Sequence, residues 1–178
     1  MGTIFVDNIK QQSSQGSGTI TIGASGETVA LATGVKQSNL NRPAFNLIAN
    51  ASQTFNDSAV TKVILGTEIL DTDNACSDSR FTVPSGKGGL YCIGGQITFS
   101  SNCNSLHVGL YVNGSHESNG VNNWIDIGDD QSAGLNIKYL QLSAGDYVEL
   151  YGLQISGGSR TANGTPNRTG FYGFRIGS

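Results

Sequence analysis

Charge is what this sequence has least of: Asp, Glu, Lys and Arg make up 13% of its 178 residues, where a soluble chain carries about a quarter. The basic residues total 10 and form no run. A surface that tracks phosphates needs them clustered, so a nucleic-acid partner is excluded. No apolar stretch is long enough for a membrane-spanning helix. Residues 1–7 show no basic segment leading into an apolar one, so no secretory signal is expected there. Histidine is limited to His107 and His116, and the sequence places no partners around either for a triad or a metal. GxSxG, HExxH, Walker and GxGxxG patterns are absent, and no carboxylate pair stands out for acid–base work. The expectation is a protein that is not an enzyme. The three cysteines, Cys76, Cys92 and Cys103, are an odd number, so at least one has no partner within the chain. Their spacing suits neither a zinc ribbon nor a CxxC pair. They read as reduced thiols, with a Cys92–Cys103 bridge as the open alternative.

What is abundant is glycine, 25 residues, together with Asn, Ser and Thr. These are weak helix formers and strong turn formers. Between the turns lie short β patterns. In residues 1–38 three such patterns occur: Thr3–Val6, the alternating Thr19–Ile22, and Thr28–Leu31. They hold few large apolar residues, so this segment cannot offset its own ordering cost and needs another copy or a partner surface. Gly34–Asn41 reads as a linker. From residue 42 onward the strand patterns are denser: Ala44–Ala49, Val60–Leu65, Phe81–Pro84, Gly88–Ile93 with Gln96–Phe99 (a pair, or one bent strand), His107–Val112, Leu135–Leu142, Tyr147–Tyr151 and Gly170–Ile176. Asn113–Gly114 is a hairpin signal of the strongest kind, and Gly145–Asp146 is a turn feeding a strand. Roughly ten strands without a helix predict an all-β sandwich or jelly roll, with 1–38 as a separate β-rich segment and 39–178 as the head.

The order of these pieces resembles a known family. Pro43-Ala44-Phe45, Phe81–Pro84 with Gly89-Leu90-Tyr91, Leu110–Gly114, Leu140–Leu150 and Phe171–Phe174 together are similar to the C1q/TNF-like jelly roll over about residues 42–178. The resemblance implies ten strands in two sheets and a homotrimer about a threefold axis. Residues Gly2–Ile9 with Gly18–Gly23 resemble the leaders of marine phage fibre and virion proteins, without an extended shaft. That resemblance implies a structural virion protein: a capsid decoration (cement) protein or short head or tail fibre on the virion surface, assembled in the host cytoplasm. Its partners would be itself and a major capsid, tail or portal-associated protein. Ile4, Phe5, Val6, Ile20, Ile22 and Val29 are the expected virion anchor. The alternative is a receptor-binding tail-fibre module that recognises host surface glycans. A glycan depolymerase and a secreted C1q-like signalling domain are weaker readings.

Phe45, Phe81, Tyr91, Phe99, Tyr111, Tyr147, Tyr151, Phe171 and Phe174 fall on strand patterns and read first as core. Tyr91, Tyr151 and Phe174 are the expected trimer-interface subset. The Ser156–Thr169 stretch reads as a long exposed loop, a place where binding tends to sit, and Arg160, Arg168 and Trp124 are the candidate ligand contacts. Asp71-Thr72-Asp73-Asn74 begins like an EF-hand loop but has Cys76 where Gly is needed and Thr82 where Glu is needed. Asp126, Asp129 and Asp130 around Gly128 offer oxygens to calcium, though an acidic turn is the first reading. No cofactor is expected. Five Asn-x-Ser/Thr sequons, at Asn50, Asn56, Asn113, Asn163 and Asn167, are expected to carry no sugar.

Overall fold

The computed structural model describes residues 42–118, 123–125, 133–164 and 168–177, with 123–125, 133 and 134 as backbone. The chain divides into two units, Met1–Ser38 and Asn39–Ser178, and every described residue belongs to the second. The expected anchor residues Ile4, Phe5, Val6, Ile20, Ile22 and Val29, the calcium candidates Asp126, Asp129 and Asp130, and the linker Gly34–Asn41 lie outside the described residues.

The described residues form fourteen strand segments and no helix, numbered β1–β14 in chain order. One sheet contains β1 (Ala44–Ile48), β4 (Thr67–Asp71), β7 (Gly89–Thr98), β11 (Ala133–Leu142) and β14 (Gly170–Gly177), in the order β11-β7-β14-β1-β4. The other contains β5 (Cys76–Ser77), β6 (Arg80–Thr82), β8 (Ser105–Val112), β10 (Asn123–Ile125) and β12 (Tyr147–Ile155), in the order β10-β8-β12-β6-β5. In that second sheet β3 (Thr61–Lys62) pairs with β12 and β9 (Ser115–His116) with β8, which makes seven strands. A ribbon of β2 (Gln53–Phe55) and β13 (Arg160–Ala162) stands beside them. The strand pairs are antiparallel. The fold is the jelly-roll sandwich that the strand pattern predicts.

The core lies between the two sheets. Phe45 stacks on Phe81 at 4.4 Å, and Phe171 and Tyr91 close on that pair at 4.8 and 5.6 Å. Phe55 and Phe99 meet edge to face at 5.2 Å. Around them Ile93, Ile97, Leu106, Val108, Leu110, Val148 and Leu150 are fully buried. Burial of each such side chain contributes about 1.5–3 kcal/mol, so this layer dominates the stability of the head.

The structure corrects some local expectations and decides others. Val60–Leu65 is a strand only at Thr61–Lys62. Beyond it Val63 N donates to Leu150 O of β12, one further step along the β3–β12 register, and Leu65 N donates to the Ser79 hydroxyl, so a side chain takes over where the ladder ends. Gly88–Ile93 and Gln96–Phe99 resolve into one ten-residue strand, β7. The Ser156–Thr169 loop contains a strand of its own, β13, paired with β2. Asn113 and Gly114 take positive φ angles of 51° and 80°, the backbone of a two-residue type I′ hairpin. Cys76, Cys92 and Cys103 are all thiols, so the Cys92–Cys103 bridge is absent.

Candidate functional site

Strand β11 sets the site by an inversion. Its inward positions are Asn136, Lys138, Leu140 and Leu142, all buried. Its outward positions include Leu135, Ile137 and Tyr139, which are 40%, 46% and 71% exposed. A strand with one face in a core and one in water shows the opposite polarity. Partners come from β8 and the segment after β9: Asn136 donates from Nδ2 to Val108 O, and the Lys138 ammonium donates to Glu117 O, while Asn136 Oδ1 is buried with no hydrogen-bond partner among the described residues.

The neighbouring strands continue the outward face. Phe171 and Gly173 of β14 point inward, so Tyr172 and Phe174 point out and are exposed. Register aligns the rows across the sheet. Ile137 lies opposite Gly94, Gly94 opposite Tyr172, Tyr172 opposite Asn46, and Asn46 opposite Leu70. The next row runs Tyr139, Cys92, Phe174, Ala44. A Cβ on Gly94 would sit 2.9 Å from Ile137 Cγ1 and 3.3 Å from the Tyr172 ring, so those two side chains close over the glycine. None of these row positions is charged. The result is a broad apolar surface with polar amides at its margin, of the kind that marks an interaction site.

At one end of this face a cleft of about 180 Å³ is lined by Asn46, Ile48, Gln96, Arg168, Thr169, Gly170 and Tyr172. Gln96 donates to Arg168 O, which also accepts from the Thr98 hydroxyl. These bonds hold the chain before β14 against β7 and leave the cleft with a cation, two amides and a phenol.

The outward face of the seven-stranded sheet differs. Glu149, 3% exposed, accepts from Lys62 Nζ at 2.8 Å and from Arg80 Nε and Nη2 at 3.0 and 2.8 Å. Burial raises the pKa of this carboxyl, but the bonds and charges of Lys62 and Arg80 outweigh it and hold it below the usual carboxylate range. The Arg80 guanidinium lies 3.8 Å from the centre of the Tyr147 ring. Tyr151 packs on Tyr111 at 4.1 Å, Tyr111 on His116 at 5.2 Å, and His116 on His107 at 5.3 Å. Each of these groups is matched by a neighbour, while Ile155 at the end of β12 is 40% exposed.

Of the three expected interface aromatics, the geometry places one on the apolar face. Phe174 is there, 51% exposed. Tyr91 points inward from β7 and is fully buried against Phe81, its hydroxyl donating to Lys87 O at 2.6 Å. It has no surface left for another copy. Tyr151 belongs to β12 in the other sheet. Tyr111 and Tyr147 are likewise outside the core on that sheet. Among the candidate ligand contacts, Arg160 is spent on structure: it donates to the carbonyls of Asn102, Ser159 and Ser156. Arg168 lines the cleft. The backbone of Trp124 lies opposite His107 in the β10–β8 register. The EF-like start is a self-contained turn, with Asp71 accepting from the backbone of Asp73 and Cys76. Sequence reasoning missed Leu135, Ile137, Tyr139 and Tyr172. For the three β11 residues the signal was the phase change within Leu135–Leu142, where alternating apolar positions switch from odd to even numbers after Tyr139.

No family model matches the sequence, and no curated protein matches it. Solved structures do match the fold. Murine APRIL superposes with a TM-score of 0.58 at 14% identity, covering 76% of this chain and 99% of its own. The globular domain of zebrafish complement 1qA protein gives 0.50 at 17%, covering 76% and 98%. Eiger TNF from S. frugiperda gives 0.53 at 12%, covering 77% and 94%. The head therefore has a TNF/C1q-like jelly-roll fold.

Proposed function

We propose that this chain is a non-enzymatic display protein that assembles as a homotrimer through the outward face of the five-stranded sheet. One observation carries the reading: on β11 the polar residues are buried and Leu135, Ile137 and Tyr139 are exposed. An uncharged surface of this kind can meet another part of the same face, rotated, and close a ring of copies. The C1q/TNF-like order of motifs favours three copies. We place the trimer on a virion surface, as a capsid decoration protein or short fibre held by residues 1–38, since that segment's sparse strand patterns need a partner surface. Three linked anchors would bind with avidity far above one. Native mass measurement of the full chain tests the assembly; a stable monomer at micromolar concentration sinks it. Immunogold labelling of purified particles tests the placement.

A second reading, recognition of a host surface glycan, is favoured by the Arg168 cleft. Its cation, amides and phenol suit an acidic sugar. A glycan array probed with wild type and Arg168→Ala decides it: no binding, or binding that ignores the substitution, removes this reading.

A further inference from the structure

We propose that Asn113–Gly114 is a self-modification site held in check: Asp146 and Tyr147 clamp the Asn113 carboxamide and slow its deamidation, and deamidation there undoes the tie between two turns. Asn followed by Gly is open to this reaction because glycine puts no side chain beside the attacking nitrogen. A bond forms from Gly114 N to Asn113 Cγ and the bond from Cγ to Nδ2 breaks. Ammonia leaves with the proton that Gly114 N gives up, and a cyclic imide remains. Water then opens the imide at either carbonyl, which leaves aspartate or isoaspartate at position 113. Water enters and ammonia leaves, with no oxidant or reductant.

Ring closure requires the side chain to fold back over its own peptide bond. The structure holds it elsewhere. Asn113 Nδ2 donates to Asp146 Oδ1 at 2.8 Å, and Asn113 Oδ1 accepts from Tyr147 N at 3.0 Å. Both polar atoms of the carboxamide are therefore bound to the turn between β11 and β12. Asn113 N also donates to Tyr147 O, which fixes the backbone of the same residue. The clamp is itself anchored, since Ser143 N donates to Asp146 Oδ2 at 2.7 Å. The bond from Asn113 first, then that from Ser143, holds the Asp146 carboxyl below the usual carboxylate range. The acceptor is charged at neutral pH, and a charge-assisted bond is about twice as strong as a neutral one. The Tyr147 hydroxyl stands over Gly114, 3.3 Å from where a Cβ would sit, and Arg80 lies over the same ring. Asn113 and Gly114 are both exposed, so exclusion of water does not protect the pair. The competing account makes the clamp a structural tie with no bearing on the chemistry. After the reaction, position 113 carries a carboxylate facing that of Asp146, with no donor between them, and isoaspartate also lengthens the backbone of the turn.

Asn-Gly occurs three times, at Asn113, Asn119 and Asn163, which supplies controls within one chain. The full chain is incubated at mildly alkaline pH, and peptide mapping by mass spectrometry follows each site with time. The folded wild type should deamidate at Asn113 roughly tenfold or more slowly than the same chain in denaturant, as expected where a charge-assisted bond must open first. Asp146→Ala should remove most of that protection, and Asp146→Asn, which keeps a neutral acceptor, should remove part. The rate at Asn163 should be the same in the folded wild type and both variants. Equal rates at Asn113 in wild type and Asp146→Ala overturn the proposal. So does a rise at Asn113 matched at Asn163, which would report general loosening of the head. Asn113→Asp, which mimics the product, should lower the thermal transition, and adding Asp146→Asn should restore it by exchanging donor and acceptor. Failure of that rescue overturns the claim that modification undoes the tie.

Discussion

The two outward faces of this sandwich are built on the same strand geometry and end in opposite conditions. The face of the seven-stranded sheet settles its own needs. Glu149 has Lys62 and Arg80, Arg80 has the Tyr147 ring, and the aromatic row from Tyr151 to His107 packs on itself. The face of the five-stranded sheet leaves Tyr139, Phe174, Ile137 and Tyr172 exposed. Burying such side chains between copies is favourable by the same term that builds the core. On the proposed reading, this head carries one face that is largely complete in a single copy and one that association would complete.

The sharpest way to break the comparison is a charge at the centre of the unfinished face. Ile137→Lys places an ammonium beside Gly94 and Tyr172 in every copy. Like charges brought together without partners cost several kcal/mol, so assembly is expected to weaken by on the order of a hundredfold or more. Sedimentation should show monomers, and the thermal transition of the isolated head should persist, because Ile137 contributes nothing to the core between the sheets. Trimers that survive this substitution would move the interface elsewhere.

The mirror experiment strikes the finished face. Glu149→Gln keeps the shape but removes the charge that Lys62 and Arg80 surround. Breaking a buried pair by neutralising one partner costs on the order of 3 kcal/mol, measured by urea unfolding, while the mass of the assembly should stay unchanged. The pH dependence follows in sign. The carboxyl's folded pKa lies below that of an ordinary glutamate, so its stabilisation is present above the unfolded value and is lost as pH falls through the lower, folded one. The wild type should lose stability across that acid window, and Glu149→Gln should show a smaller loss. Equal acid slopes in the two proteins would remove Glu149 from the account.

The fold was legible because its signals are local. Alternation over Tyr147–Tyr151, the Asn113–Gly114 turn and the glycine-rich spacing each specify a strand or a turn without distant help. The site was less legible because a face is a property of register across strands. Nothing within β7 says that Tyr91 points in; that follows only from which side β8 and β12 cover. His107 and His116 are nine positions apart and offer no motif, yet the hairpin brings them over one glycine. Val60–Leu65 is a short strand because its ladder with β12 stops after Val63, and the Ser79 hydroxyl then takes the Leu65 N–H.

Tyr91 gives the smallest and most discriminating prediction, since the sequence offered it both as core and as a trimer-interface candidate and the geometry places it in the core. Tyr91→Phe removes one hydroxyl, the donor to Lys87 O at 2.6 Å, and keeps the ring against Phe81. A hydrogen bond of this kind contributes about 1 kcal/mol net, so the unfolding midpoint should fall slightly. The assembly constant should not move, because no atom of the ring reaches the surface. Tyr139→Phe makes the same chemical change on a residue that is 71% exposed and has the reverse signature: little effect on unfolding of the single head, and an effect confined to association. Tyr91→Phe acting on association instead would mean that β7 presents its other side to the partner, and the distinction between the two faces would fall with it.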